Sequence, residues 1–555
     1  MISIGQIGST PMRTIFTLAV AAIVASLSFV GHAAPPPLPR TLLLVDDDEV
    51  LFRPGTIKRV MEFKKFSADP VVAPDKAWEG MLGWTSVYRN PQTGKFQLWY
   101  QAYQERRKED KSLRCVVCYA ESDDGRTWRK PNLGLFPFYE EKETNIVLIG
   151  DGGKAGGYGD RYGNSVVVDP RDPDPARRYK MLYYDWGVGE NVKQGSGLHV
   201  AFSPDGVRWT KYAGGIVLKT PYGGKGAQPP FKDEGFYFEE KRNDGTLLRS
   251  WRVPLSLSDA ADVLYDPRRE MFVIYGKMWT PFPDGGLSWK HGMGRSESKD
   301  FIRWSKPELL LTVNDRDPPH AEFHTSPVFM YNGMYFSVNQ MLDRTRGTID
   351  AELMSSRDGL RWDRSFGNQW IIPRGPEGKF DAGSIISNGT PVIMEKEMLF
   401  YYGAYRGTAI GGVGLNRQQV GSTDYYSGVG LAITPRDRLV AVGPNPQAPV
   451  KGQKREGPRQ VNTIGNVTFR ALDLSGVTAL TVNADAKKGA VRVEVLDEDG
   501  YRLRGFTKDE AVPLSGDSLA HPVRWKERAL GDLSPGRYLL RVHLDRADLF
   551  ALTLR

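Results

Sequence analysis

The sequence predicts an all-β protein, a five-bladed β-propeller followed by a small C-terminal β-sandwich. Three observations carry that prediction. The first is a repeated motif: Ser122-Asp123-Asp124-Gly125-Arg126-Thr127-Trp128 recurs as Ser203-Pro204-Asp205-Gly206-Val207-Arg208-Trp209 and as Ser356-Arg357-Asp358-Gly359-Leu360-Arg361-Trp362. A looser copy, Ser298-Lys299-Asp300-Phe301-Ile302-Arg303-Trp304, has Phe301 in place of the glycine. Asp bonds its own backbone and Gly allows φ > 0, so each copy is a tight hairpin, with the Trp packing between sheets. The second is a common order of signals around each copy, namely apolar strand, turn, aromatic-rich strand, third strand, hairpin, at the long unequal spacing of a β-unit with insertions. The third is composition: 60 Gly, 37 Pro and 11% aromatics suit a turn-rich β chain.

Taken in order, residues 1–33 read as a secretory signal. Met12-Arg13 is a positive start, residues 14–30 are apolar and uncharged, and Gly31-His32-Ala33 offers small residues for cleavage before Ala34. No later apolar run is long enough to span a bilayer, so no integral membrane segment is expected after cleavage. Residues 34–59 read as a linker and lead-in. Residues 60–445 hold the units. The first runs through Trp84 to Phe96-Gln97-Leu98-Trp99-Tyr100, and the second through Ser165-Val166-Val167-Val168-Asp169-Pro170 to Met181-Leu182-Tyr183-Tyr184. The third runs through Asp262-Val263-Leu264-Tyr265-Asp266-Pro267 to Met271-Phe272-Val273-Ile274-Tyr275, and the fourth through Pro327-Val328-Phe329-Met330 to Met334-Tyr335-Phe336. The fifth runs through Pro391-Val392-Ile393-Met394 to Leu399-Phe400-Tyr401-Tyr402 and lacks the Trp hairpin. Radial packing of such units leaves only short sheet edges. Residues 446–459 read as a Pro-, Gly- and Lys-rich linker. Residues 460–555 alternate as short strands, such as Val491-Arg492-Val493-Glu494-Val495, and read as the sandwich.

Net charge is +8, spread without a long Lys/Arg run, which argues against nucleic acid as a partner. The two cysteines, Cys115 and Cys118, lie three apart on a strand and face opposite ways, so they read as separate core thiols. No metal site or cofactor is expected.

Residues just before the innermost strand of each blade converge on one mouth of a propeller. They are Trp78-Glu79, then Asn164, then Asp259 and Asp262, then Glu322 and His324, then Asp381. Carboxylates gathered in one pocket repel, so one tends to hold a proton beside an ionised partner. That is the pair glycosidic cleavage needs. Each acid alone could equally cap a turn.

At these residues the chain resembles the five-bladed β-propeller glycoside hydrolases, the superfamily of families 32 and 43, and more closely a secreted bacterial family 32-like branch. Trp78-Glu79-Gly80, Cys118-Tyr119-Ala120-Glu121-Ser122, Asp259-Ala260-Ala261-Asp262-Val263 and Phe380-Asp381-Ala382-Gly383 carry the resemblance. The family 32 opening Trp-Met-Asn-Asp-Pro-Asn and its Glu-Cys motif are absent. The resemblance implies a base or nucleophile at Asp259 and an acid at Glu322. Glu79 and Asp381 would set pKa values or hold hydroxyls, and His324, Arg344, Asp350, Asn164, Asp262 and Trp78 would contact a carbohydrate substrate. A glycoside phosphorylase, with Arg161, His324 and Arg344 holding phosphate, and a non-catalytic glycan-binding propeller stand beside the hydrolase.

Overall fold

The computed structural model describes residues 39–104, 114–150, 161–185, 197–219, 237–241, 243–251, 257–280, 290–407, 427–448, 451–453, 457–459 and 461–555. The expected signal segment lies outside these residues. Among them there is no α-helix, only two short 3-10 turns at Pro175–Arg177 and Leu530–Asp532, so the described residues are all-β.

Antiparallel meanders follow one another. The first is Met81–Arg89, Phe96–Gln104, Arg114–Ser122 and Ile146–Leu148. The second is Arg161–Val168, Tyr179–Asp185 and Gly197–Ser203, with two short outer strands. The third is Leu257–Asp266, Met271–Thr280, Lys290–Ser298 and Glu308–Leu311. The fourth is Ala321–Thr325 with Val328–Tyr331, then Met334–Asp343, Thr348–Ser356 and Trp370–Ile372. The last is Ser384–Ile386 with Val392–Ile393, then Glu397–Tyr405 and Ser427–Pro435. Its outer strand is Lys64–Lys65 from the beginning of the chain, paired as Ala432↔Lys65 and Ile433↔Lys64.

The repeated hairpins latch one meander to the next. In the first copy the Ser122 hydroxyl accepts the Gly125 amide at 2.8 Å, and Asp124 Oδ1 accepts the amides of Arg126 and Thr127 at 2.7 and 2.8 Å. The glycine has φ +71°, and its carbonyl accepts the Tyr401 hydroxyl of the last meander at 2.6 Å. Gly206 likewise receives Trp99 Nε1 at 2.6 Å, and Gly359 receives the Tyr275 hydroxyl at 2.9 Å. A Cβ on Gly206 would sit 2.6 Å from the Trp99 ring, so the glycine serves both the turn and the close approach. Phe301 takes the left-handed slot at φ +66° and packs on Phe202 and Phe272. The last meander has a turn at the same place, with Asp437 at φ +68° beneath the Tyr331 hydroxyl. Sequence reading missed it because the Ser, Asp, Gly and Trp are all replaced, by Thr434, Arg436, Asp437 and Val440, while the left-handed turn is kept.

The innermost strands are stitched by side chains. The Ser86 hydroxyl accepts the Val166 amide at 3.1 Å, Ser165 accepts the Val263 amide at 3.0 Å, and Thr390 accepts the Val87 amide at 3.0 Å. Where strands splay around an axis their ladders cannot meet, and hydroxyls satisfy the inner backbone instead.

Tyr237–Lys241 and Leu247–Trp251 make a separate two-stranded hairpin, and another ten strands form one sheet. Its long strand Leu480–Leu496 pairs Asp548–Leu554 along its first half and Arg537–Asp545 along its second, with a register shift between. The sheet curls over an apolar core that includes Val467, Val482, Val493, Val542 and Leu552. Segments assigned to other roles from sequence belong to it. In the stretch 34–59, read from sequence as a linker and lead-in, Arg40–Leu43, Val50–Phe52 and Thr56–Val60 are strands of this sheet, as is Val440–Pro444. Strand pairing with partners some 500 residues away leaves no local signal. The expected linker at 446–459 contains a small hairpin, Lys451–Gln453 with Gly457–Arg459. Cys115 and Cys118 are buried and form no disulfide with each other.

Candidate active site

The site is built by irregularities in the innermost strands. In Met81–Arg89, Gly83 pairs Gln101 while Thr85 pairs Tyr100, so Trp84 is an extra residue. In Ala321–Thr325, Phe323 pairs Met341 while Thr325 pairs Gln340, so His324 is extra. In Leu257–Asp266, Leu257 pairs Met278 and Ala261 pairs Gly276, so Ser258, Asp259 and Ala260 stand opposite Lys277 alone. Arg161–Val168 shifts register at the same level, between the partners of Leu182 and Tyr184, where Gly163 and Asn164 lie. A bulge turns an added side chain out of the pleat. Here successive bulges turn Trp84, Asp259 and His324 toward one another.

Trp84 and His324 stack at 5.6 Å between ring centroids. Trp84 has φ +44°, a strained value for so large a residue and the kind of strain functional sites hold. Trp84 joins Ala260, Leu342, Ile386 and Tyr405 in an apolar cluster. Below it a small cavity is lined by Thr85, Ser165, Asp262, Thr325, Ser387 and Asn388, drawn from all the meanders.

Two carboxylates meet the cations of this region. Asp259, 5% exposed, lies 2.5 Å from Lys277 Nζ and accepts the Ser258 hydroxyl at 3.1 Å. Burial pushes its carboxyl up, but the Lys277 charge outweighs that, and Asp259 is held below the usual carboxylate value. Glu322, 0% exposed, accepts the His291 amide at 3.1 Å on Oε2, while Oε1 lies 2.9 Å from His291 Nδ1 and 2.6 Å from Arg344 Nε. Burial raises it, and the His291 and Arg344 contacts overcome burial and hold it well below its ordinary value. His324 Nδ1 lies 2.7 Å from Gln340 Oε1, whose amide nitrogen donates to the Ser387 carbonyl. Gln340 Oε1 is therefore the acceptor and His324 carries its proton on Nδ1. Burial first, and the Lys277 charge second, depress its pKa to about 3, so it is neutral at physiological pH.

The other expected residues are placed elsewhere or differently. Asp262 is a hub residue: it bonds the Ser165 hydroxyl, and its Oδ2 accepts the Gly389 amide at 2.7 Å, tying the second, third and last meanders together. Burial raises its pKa against these donors. Glu79 is enclosed by its own meander, accepting Lys130 Nζ at 2.6 Å and the Tyr100 hydroxyl at 2.5 Å. Trp78 is core and donates to Asn145 Oδ1 at 3.0 Å. Asp381 accepts Lys65 Nζ at 2.6 Å, locking the closing strand. Asp350 is paired with Arg374 at 2.8 Å. Asn164 stands at the bulge of its strand, and its side chain lies outside the described residues, as does that of Arg161. The geometry thus brings together Asp259, Glu322, His324 and Arg344, and not Glu79, Asp381, Trp78 or Asp350. Instead of sharing a proton, Asp259 and Glu322 each have their own cation. Lys277 and His291 complete the cluster and escaped sequence reading, because they lie on second and third strands. The one available signal was a lone His291 followed by Gly292 in a buried strand.

No protein family matches the chain, and no curated protein matches it. Solved structures are similar to it at low identity. One is described as a glycoside hydrolase, at 15% identity over 67% of this chain and 92% of that one, with a TM-score of 0.43. Another is a thermostable family-43 glycoside hydrolase, at 11% identity over 70% of this chain and 99% of that one, TM-score 0.38. A third is a fructofuranosidase from Schwanniomyces occidentalis complexed with fructosylnystose, at 9% identity over 90% and 99% of the two chains, TM-score 0.40.

Proposed function

We propose that the chain is a glycan-processing enzyme, a glycoside hydrolase that cleaves a poly- or oligosaccharide at the mouth of a five-bladed β-propeller. The observation that carries this reading is the meeting of Asp259 and Glu322, buried carboxylates from neighbouring meanders, with Lys277, His291, His324 and Arg344. Glycosidic cleavage needs an anion to face the cationic sugar carbon and a second group to handle the leaving oxygen's proton. Asp259, held ionised by Lys277, suits the first role as nucleophile or base. The Glu322 side of the cluster suits the second. Trp84 and Trp279 supply aromatic faces beside these groups, Trp279 edge-on to His291 at 4.9 Å. The curled C-terminal sheet is read as an appended β-sandwich, and the signal-like start supports export from the cytoplasm.

The test is a product screen of the purified protein on a polysaccharide panel, beside Asp259→Asn and Glu322→Gln. Turnover by the wild type that falls on the order of a hundredfold or more in Asp259→Asn is expected. Turnover surviving both substitutions removes this site. A second reading, phosphorolysis, is favoured by one observation, the gathering of Lys277 at Asp259 and of His291 and Arg344 at Glu322 in one cluster. Products that appear only with inorganic phosphate would establish it.

A further inference from the structure

We propose that His291 is the residue that carries the proton during bond cleavage, and that Glu322 positions it instead of acting as the acid. The inference rests on the glycosidase reading above. Glu322 is completely enclosed; Oε2 accepts the His291 amide, and Oε1 lies within ion-pair distance of Arg344 Nε and His291 Nδ1 without hydrogen-bond geometry to either. A carboxylate so surrounded is a poor proton donor and has no free face for a sugar oxygen. His291 is gripped by it at two points, backbone amide and Nδ1. The ring is 4% exposed, and among the described residues neither ring nitrogen meets hydrogen-bond geometry. A small rotation aligns Nδ1–H on Oε1 across the 2.9 Å gap and leaves Nε2 as the working atom. A buried imidazole nitrogen without a partner carries a desolvation cost that a purely structural histidine has no reason to bear.

The titratable and charged groups around the ring are Glu322 and the neutral His324 from Ala321–Thr325, Lys277 from Met271–Thr280, and Arg344. Burial first, with Lys277 and Arg344, lowers the His291 pKa below 6.5 against the pull of Glu322. The acid form therefore grows as pH falls. In the first step the imidazolium Nε2–H bond breaks and its proton goes to the glycosidic oxygen. The carbon–oxygen bond breaks with its electron pair on that oxygen, and an Asp259 oxygen bonds to the anomeric carbon. In the second step Nε2 takes a proton from water, whose oxygen displaces Asp259. The cycle consumes one water and returns both residues to their starting states.

The experiment compares His291→Gln, Glu322→Gln and the charge-keeping Glu322→Asp on the sugar that the panel identifies, as natural oligosaccharide and as a p-nitrophenyl glycoside, with pH profiles. His291→Gln is expected to lose a factor of about 10²–10⁴ on the natural substrate. It should keep bond cleavage on the p-nitrophenyl glycoside, whose leaving group needs no proton, and regain turnover with azide. Glu322→Gln should retain a measurable profile whose alkaline limb moves to lower pH, and Glu322→Asp should restore that limb. If Glu322→Gln shows the leaving-group and azide pattern and His291→Gln does not, the assignment is wrong. If the wild type cleaves no glycoside, the glycosidase reading fails separately. Nitrogen NMR of His291 in the full chain then decides the pairing. An Nδ1-protonated neutral ring that titrates lower in Glu322→Gln supports it, and an Nε2-protonated ring or an unmoved titration overturns it.

Discussion

Trp84 and His324 stack at 5.6 Å with 24° between their planes, and each is the surplus residue of a bulge in its own strand. Neither could reach the other from a regular ladder, where its side chain would lie in the pleat. Trp84→Ala should therefore both loosen the fold, by roughly 3 kcal/mol or more for a buried tryptophan, and raise KM for a glycan. Trp84→Phe keeps a ring over His324 and should recover most of the affinity. Denaturant unfolding and KM measured together check this; an unchanged KM in Trp84→Ala denies the indole a place in binding.

The hairpin latches predict a graded glycine series. Gly206→Ala puts a methyl 2.6 Å from the Trp99 ring at φ +80°, and a loss of about 2 kcal/mol or more is expected. Gly378→Ala has a similar φ, +85°, with nothing within 4 Å, and should cost about 1 kcal/mol, the conformational part alone. Equal losses at the two sites would mean that the ring contact contributes nothing.

Asp381 tests the distinction between a structural and a chemical carboxylate. Lys65→Met strands a buried anion and should destabilise by about 3–5 kcal/mol. Lys65→Met combined with Asp381→Asn should recover a large part of that loss and leave the pH profile of turnover unchanged. A shifted profile would return Asp381 to the catalytic groups.

Stability should fall on acidification. Glu322 and Asp259 titrate lower folded than unfolded, so their contribution is present above the unfolded values, 4.5 and 3.8, and is lost as pH falls toward the folded ones. His324, depressed from 6.5 to about 3, acts in the same direction, because protonating it favours the unfolded chain. Thermal midpoints should drop from pH 6.5 downward, less so in a Glu322→Gln, His324→Gln double variant. A midpoint flat to pH 4 contradicts this.

Much of this was legible because its causes are local. The Ser-x-Asp-Gly hairpin makes its bonds within a few residues, so Asp124, Asp205 and Asp358 announce their turns in any context. The carboxylates were harder. Glu79, Asp259, Glu322 and Asp381 share the feature of an acid beside an inner strand, but their partners, Lys130, Lys277, Arg344 and Lys65, are chosen by the tertiary fold. Which acid reaches the mouth depends on where a bulge falls, and a one-residue surplus opposite Lys277 or Gln340 is a property of pairing, not of composition. His291 stayed hidden for a related reason: only the packing of one meander against the next brings it to Glu322.

The sheet shared between the two ends of the chain bears on how the protein is made. Arg40–Leu43 finds its neighbour only when Asp548–Leu554 has been synthesised, with the register Arg40↔Leu554. Arg40–Leu43 must wait, unpaired, until that strand emerges. A product truncated before Asp548–Leu554 would thus leave Arg40–Leu43 open to proteases, and synthesis of its partner is what seals it.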